Sequence, residues 1–357
     1  MFSVKRASLL APRCRPLVFS AGCPMSSGKG AAGGGGGGSD PAQFCLDSVR
    51  KTDHEHFLTN LLLPRDIKTD AFAIRAFSSE ISGVRDSVSE RTLGQVRLQF
   101  WRDTVAGLYR DQVRGVNEIS RINHVKYHAL VLSGLEGKFR ELSLTALDQV
   151  PHHPVAVQLY RTIKQKQPSI QLFQKLIDSR EQFLSDKPFN SLEDVDKYGE
   201  DAFSGVYLLL LELQNNKNGH IKHAATQLGK CEGLITLLRA LPYNAARRRC
   251  YLPTQLLAER GVSAEKVIRC SGDSVPADIT EIIEMIAARA EQYLENCRFR
   301  KKYLSSSEKL LLLPAVSADQ YLTKLSKTQC NVWDKSLHVR NSMLPMSLYW
   351  HKFRRTY

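Results

Sequence analysis

The sequence predicts an all-α fold, on three observations. From Phe44 onward, apolar residues recur at spacings of three and four nearly throughout. No alternating apolar and polar run of useful length competes with that period. Prolines also fall where periodic stretches end, as they do at helix boundaries.

The periodic stretches run Phe72 to Ile81, Leu93 to Tyr109, Val155 to Ile163, Leu172 to Leu184, Val195 to Leu213, Ala224 to Leu241 and Ile279 to Cys297. Pro64, Pro154, Pro188, Pro242 and Pro253 mark breaks between them. In the last stretch, Ile279, Ile282, Ile283, Ile286, Ala290 and Leu294 lay one apolar stripe along several turns. Its ends agree with the helix dipole: Asp278 and Glu281 near the positive end, and Arg298, Arg300, Lys301 and Lys302 near the negative one.

At 357 residues and 43% hydrophobic, the chain can bury a sizeable core. Its longest apolar runs, "VYLLLLEL" (Val206 to Leu213) and "LLLLP" (Leu310 to Pro314), fall far short of the roughly 18 residues of a spanning helix. The eight cysteines are scattered, with no CxxC pair, which points to reduced thiols rather than a disulfide scaffold or structural zinc.

Two segments stand outside the helical body. Residues 1–40 join a basic, carboxylate-free start, "MFSVKRASLLAPRCRPLVFSAG", to a glycine-rich linker; the start has the pattern of an amphipathic mitochondrial transit peptide, with an unaddressed basic tail as the alternative. Gly28 and Lys29 do not make a phosphate loop, since Cys23 stands where its first glycine belongs and Gly30 where Ser or Thr should follow. The second segment, about 112–149, lacks a sustained period and reads as an insertion; its His124 and His128 have no Glu between them to serve as a base. The body, 41–357, reads as one helical domain.

The net charge of +14 favours anionic partners. No RNA-binding motif or repeat accompanies it, so nucleic acid is not an expected partner. The tail "YWHKFRRTY" mixes aromatics with cations, as interfacial membrane segments do, and peripheral membrane contact stands beside partner docking or core covering as its role.

One basic stretch lacks acid altogether: "GLITLLRALPYNAARRRCYLP", Gly233 to Pro253. With "LLLPRDIKTDAFAIRAFSSEISGVRD" (Leu61 to Asp86) and "SLEDVDKYGEDAFSGVYLLLLEL" (Ser191 to Leu213), it resembles the squalene and phytoene synthases, which join two prenyl diphosphates head to head. The resemblance runs from about His56 to Pro253 and implies an isoprenoid-synthase-like helical bundle with a central cavity.

In the active family, two aspartate-rich motifs hold Mg²⁺ against the substrate diphosphate, because that ion wants hard oxygen ligands. Here Glu80 falls on the family's Glu and Asp86 on its last Asp, while Ser82 and Gly83 replace the aspartates between and Ser79 replaces the preceding Arg. In the second motif, Asn-x-x-Arg-Asp becomes Thr236-Leu-Leu-Arg239-Ala240, and the next Asp falls at Asn244. Arg239, Arg249, Tyr251, Leu252 and Pro253 match. Glu80, Asp86, Arg239, Asn244, Arg249 and Tyr251 are thus remnant diphosphate-site positions, with no catalytic residue, metal or cofactor expected. A diphosphate can still bind beside Arg239 and Arg249, and an isoprenoid or lipid can still occupy the cavity, but ionisation lacks its metal clamp. The alternative is an active transferase with relocated carboxylates, for which Glu200, Asp201 and Glu212 are the candidates.

Within the family, the chain resembles a mitochondrial subgroup in its degraded motifs, its basic start, "DSVSE" (Asp86 to Glu90) followed by "QFW" (Gln99 to Trp101), "LLRALPY" (Leu237 to Tyr243) and its final "LPMSLYWHKFRRTY". That resemblance implies assembly of respiratory complex I (NADH:ubiquinone oxidoreductase), with complex I subunits or assembly intermediates as partners, on the matrix side of the inner membrane.

Overall fold

The computed structural model describes residues 40–88, 90–114, 153–272 and 275–357, and every regular element among them is helical. Before residue 115 come α1 (Pro41–Thr52), α2 (His54–Leu61), α3 (Arg65–Ser82), the single turn α4 (Val84–Ser87) and α5 (Arg91–Arg114). After residue 153 come α6 (Pro154–Lys166), α7 (Ile170–Glu181), α8 (Leu192–Gly199), α9 (Gly205–Leu213), α10 (Gly219–Ala245), α11 (Thr254–Glu259) and α12 (Ala264–Ile268). The chain finishes with α13 (Ala277–Phe299), α14 (Ser306–Leu311), α15 (Pro314–Lys327) and α16 (Leu344–Phe353). The expected leader and linker, most of the expected insertion and its two histidines lie outside the described residues. The insertion's first residues, 112–114, continue α5.

Local chemistry starts these helices where they start. The Asp40 carboxylate accepts the Ala42 N–H, and Asp53 does the same for His56 at the head of α2. Ser191 with Asp194, and Ser305 with Glu308, form reciprocal capping boxes for α8 and α14. Pro154 opens α6 at a position whose N–H has no helical partner anyway. Pro242 departs from expectation: it does not end its helix, which runs on to Ala245, where the Ala246 N–H still reaches the Pro242 carbonyl at 3.1 Å. The proline sits so near the end that the lost bond and ring clash fall on the final turns alone.

The stripe from Val195 to Leu213 also divides. Between α8 and α9 lies one π-helical turn, Glu200–Ser204, which bulges the chain toward α10. Contact there is possible only because α10 carries glycines. A Cβ on Gly229 would sit 2.2 Å from Ser204 Oγ, and one on Gly233 would sit 2.6 Å from the Gly199 Cα. α10 is therefore the central helix, packed on α8, the π turn, α9, α13 and α15. Gly233→Ala is expected to destabilise the fold by about 1–3 kcal/mol, since backbone must give way, although Ala in a helix ordinarily gains up to about 1 kcal/mol over Gly. Gly107→Ala in α5, where a Cβ meets nothing within 4 Å, should stabilise instead. Denaturant midpoints that shift the same way in both would refute the close-crossing account.

The core fills with aromatic and aliphatic side chains: Phe77 of α3 meets Trp101 and Phe173 edge-on at 5.4 Å. Among the described residues no helix is long and apolar enough to cross a membrane. Their six cysteines are free thiols.

Candidate functional site

α3 and α10 face each other across a cleft floored by Tyr207 of α9. The Arg75 guanidinium lies 5.1 Å over the Tyr207 ring, and the Tyr207 hydroxyl donates to Glu232 at 2.6 Å. α2 drops into the same space. His56 places Nε2 3.0 Å from Glu232 Oε1 and Nδ1 2.7 Å from Asp53 Oδ2. Burial and Arg75 oppose its charge, but the two carboxylates outweigh them and push its pKa up to about 9. His56 is therefore an imidazolium at neutral pH. Burial likewise works against the Asp53 carboxylate, yet His56 and Arg75 hold it down at about 2.

Of the motif positions, Ser82 and Gly83 lie at the end of α3 and Thr236 and Ala240 on α10, and none of the four can offer a carboxylate. Arg239 is spoken for: its two terminal nitrogens hold Glu55 at 3.1 and 2.8 Å, and its guanidinium lies 4.6 Å from the Tyr321 ring centroid. Such a fork-to-fork pair fixes geometry as well as charge.

A second cluster forms at the far end. Asp186, in left-handed backbone after α7, is the hub. Arg85 Nε donates to it at 2.8 Å, the Tyr251 hydroxyl at 2.5 Å, and Arg249 Nε lies 3.5 Å away. Burial would raise the Asp186 pKa, but these donors hold it below the usual carboxylate range. Arg249 also reaches Asp86 at 3.6 Å. Burial keeps the Asp86 pKa raised despite Arg249 and the neighbouring arginines. Burial together with Asp186 pushes the Tyr251 phenol up as well.

The structure thus unites Asp86, Arg249 and Tyr251 and leaves Glu80 and Arg239 apart. Glu80 points toward α1, near enough to Cys45 to help raise that thiol, and burial raises its own pKa against Arg97. Asn244 contributes backbone: its carbonyl accepts the N–H groups of Arg247 and Arg249, both at 2.9 Å, in the turn that aims Arg249 inward. Arg247 stacks 3.4 Å over Tyr243, and Arg248 is exposed. Arg75 and Arg85, both close in sequence to Glu80 and Asp86, go to Tyr207 and Asp186. Sequence reasoning missed Glu55, Asp186 and Tyr243. For Asp186 the only signal is a turn-forming "SDKP".

The fit to Mg²⁺ is poor. Among the described residues no three His, Cys, Asp or Glu side chains gather as a metal needs. Asp86 is already engaged by Arg249. The relocation candidates lie elsewhere: Glu200 pairs with Lys230 at 2.9 Å, and Glu212 accepts the Ser169 N–H at 2.6 Å, closing the head of α7. The crevice lined by Thr59, Asn60, Arg75, Leu210 and Leu311 among others is too tight to admit even a water molecule.

Comparison with known proteins fixes the lineage. The sequence profile of squalene/phytoene synthases matches residues 49–345. The chain belongs to the squalene/phytoene synthase family. Its fold is that of solved members: it superposes on a dehydrosqualene synthase with a TM-score of 0.66, covering 88% of this chain and 95% of that one at 17% identity. The squalene synthase HpnC from Alicyclobacillus acidocaldarius gives 0.62, over 82% and 95% at 13% identity. Among curated relatives, this squalene/phytoene synthase family member is 32% identical to the Bos taurus protein named NADH dehydrogenase (ubiquinone) complex I, assembly factor 6, over 94% of this chain and 89% of that protein. The Homo sapiens protein of that name is also 32% identical, over 88% and 82%. A Drosophila melanogaster homolog is 29% identical, over 87% and 82%.

Proposed function

We propose that this chain is a non-catalytic assembly factor for mitochondrial respiratory complex I, which uses the synthase bundle as an interaction scaffold on the matrix side of the inner membrane. The observation that carries it is the pairing of both remnant arginines with the chain's own carboxylates: Arg239 with Glu55, and Arg249 with Asp86 and Asp186. A diphosphate would have to displace those partners before meeting a bare cation, and it would bring its own charge into a cleft without the carboxylates that recruit a metal. The relatives named for complex I assembly, matched over most of their length, supply the process. The carboxylate-free leader agrees with a mitochondrial address.

A tagged chain captured from mitochondria is expected to bring complex I subunits or assembly intermediates with it. Its removal should lower assembled complex I while the other respiratory complexes hold their level. Capture without any such subunit, together with normal complex I in its absence, overturns the reading.

A further inference from the structure

α16 carries two apolar faces, and only one is covered. Leu344 and Leu348 pack with Leu62, Leu313 and Val316. Met343, Met346, Tyr349, Trp350 and Phe353 recur at three and four on the outside, with Trp350 56% and Phe353 82% exposed. The helix is held firmly while it presents them: Gln320 bonds Ser347 at 2.9 Å, the Lys352 ammonium bonds the Leu62 carbonyl at 3.1 Å, and the Tyr357 hydroxyl bonds the Cys297 carbonyl at 3.1 Å. That last bond sets the chain's end against the end of α13, where Phe299 and Tyr303 are exposed as well.

Charge says what covers this face. From Arg340 to Tyr357 there are four Lys or Arg and one His, and from Arg298 to Tyr303 four Lys or Arg, with no Asp or Glu in either stretch. Arg298 is paired with Asp319. The two stretches adjoin closely enough that Arg354, with Lys309 and Arg298, adds to burial in lowering the Lys301 pKa. Cations lie over the exposed rings: Arg354 5.5 Å from Trp350, and Lys302 5.0 Å from Tyr303. Aromatic rings with flexible cations above them, on a firmly held face whose neighbouring acid, Asp319, is already paired with Arg298, suit the boundary between acyl chains and anionic headgroups.

We infer that the outer face of α16, with the adjoining end of α13, docks on an anionic bilayer, the rings entering the headgroup boundary and Lys301, Lys302, Arg354 and Arg355 meeting lipid phosphates. An acidic protein partner is the competing occupant. The inference uses only the outer face of α16 and the end of α13, none of the cleft's residues, so it can fail while capture of complex I subunits succeeds, and the reverse.

The test uses the full chain with two vesicle types, phosphatidylcholine alone and phosphatidylcholine mixed with cardiolipin. Partition onto the cardiolipin vesicles should be at least about tenfold stronger and should fall as salt rises. Trp350→Ser with Phe353→Ser should remove it. Arg354→Gln with Arg355→Gln should weaken it at least about tenfold, at roughly fivefold per cation. Because the leader is also basic, site is read from the unaltered chain: acyl-brominated lipid should quench tryptophan emission, and Trp350→Phe should abolish the quench. The leader has no tryptophan, Trp101 is buried, and Trp333 is half-buried against the core, so any quench it contributes survives in Trp350→Phe and is subtracted. Equal partition on both vesicle types, or bound protein whose emission stays unquenched, overturns the inference. So does an α16 face that leaves vesicles alone and instead binds an acidic protein.

Discussion

Mixed with Mg²⁺ and prenyl diphosphates, the purified chain is expected to release pyrophosphate at least about a thousandfold more slowly than a synthase with both aspartate motifs assayed beside it. The magnitude follows from the metal clamp, since losing about 4 kcal/mol of transition-state stabilisation slows a step roughly a thousandfold. Ser82, Gly83, Thr236 and Ala240 supply no carboxylate to the cleft, and Asp86 is bound to Arg249. Mg²⁺-dependent release that disappears in Asp86→Asn would show that the surviving carboxylate still recruits the ion, and would end the non-catalytic reading.

The second large effect concerns pH. The folded pKa of His56 stands at about 9, above its ordinary 6.5, so the fold binds the proton more tightly than the unfolded chain does. Its contribution is full below pH 6.5 and is lost as pH rises through about 9. Unfolding free energy should therefore drop by up to about 3 kcal/mol across that window. His56→Gln should flatten the slope. Asp53 acts at the acid end with the opposite sign: its contribution is present above its ordinary 3.8 and is lost as pH falls through about 2. Buried thiols such as Cys45 begin to matter only above their unfolded value of 9.0. Urea midpoints that stay level from pH 6.5 to 9, or that slope equally in His56→Gln, would remove His56 from the account.

The helices were legible because burial imposes their period directly on the sequence, as the Ile279 to Cys297 stripe illustrates. The π turn was not, since Glu200 to Ser204 keep a helical composition and the extra residue shows only where α10 comes near. Pro242 misled because a proline's effect depends on how many turns follow it. The site was half readable. Replaced aspartates can be seen residue by residue, whereas the partners of Arg239 and Tyr251 depend on which distant segments fold against them: Glu55 is 184 positions away from Arg239 and Asp186 is 65 from Tyr251. No local pattern encodes such pairings.

The Arg239 fork fastens α2 to α10 and stacks on α15 through Tyr321. Aspartates placed at Ser82, Gly83 and Ala240 would add carboxylates to a cleft in which Arg239 serves as a structural rivet. Freeing that rivet to meet an anion would loosen three helices together, so any binding role for Arg239 would be opposed by the stability of the joint it makes.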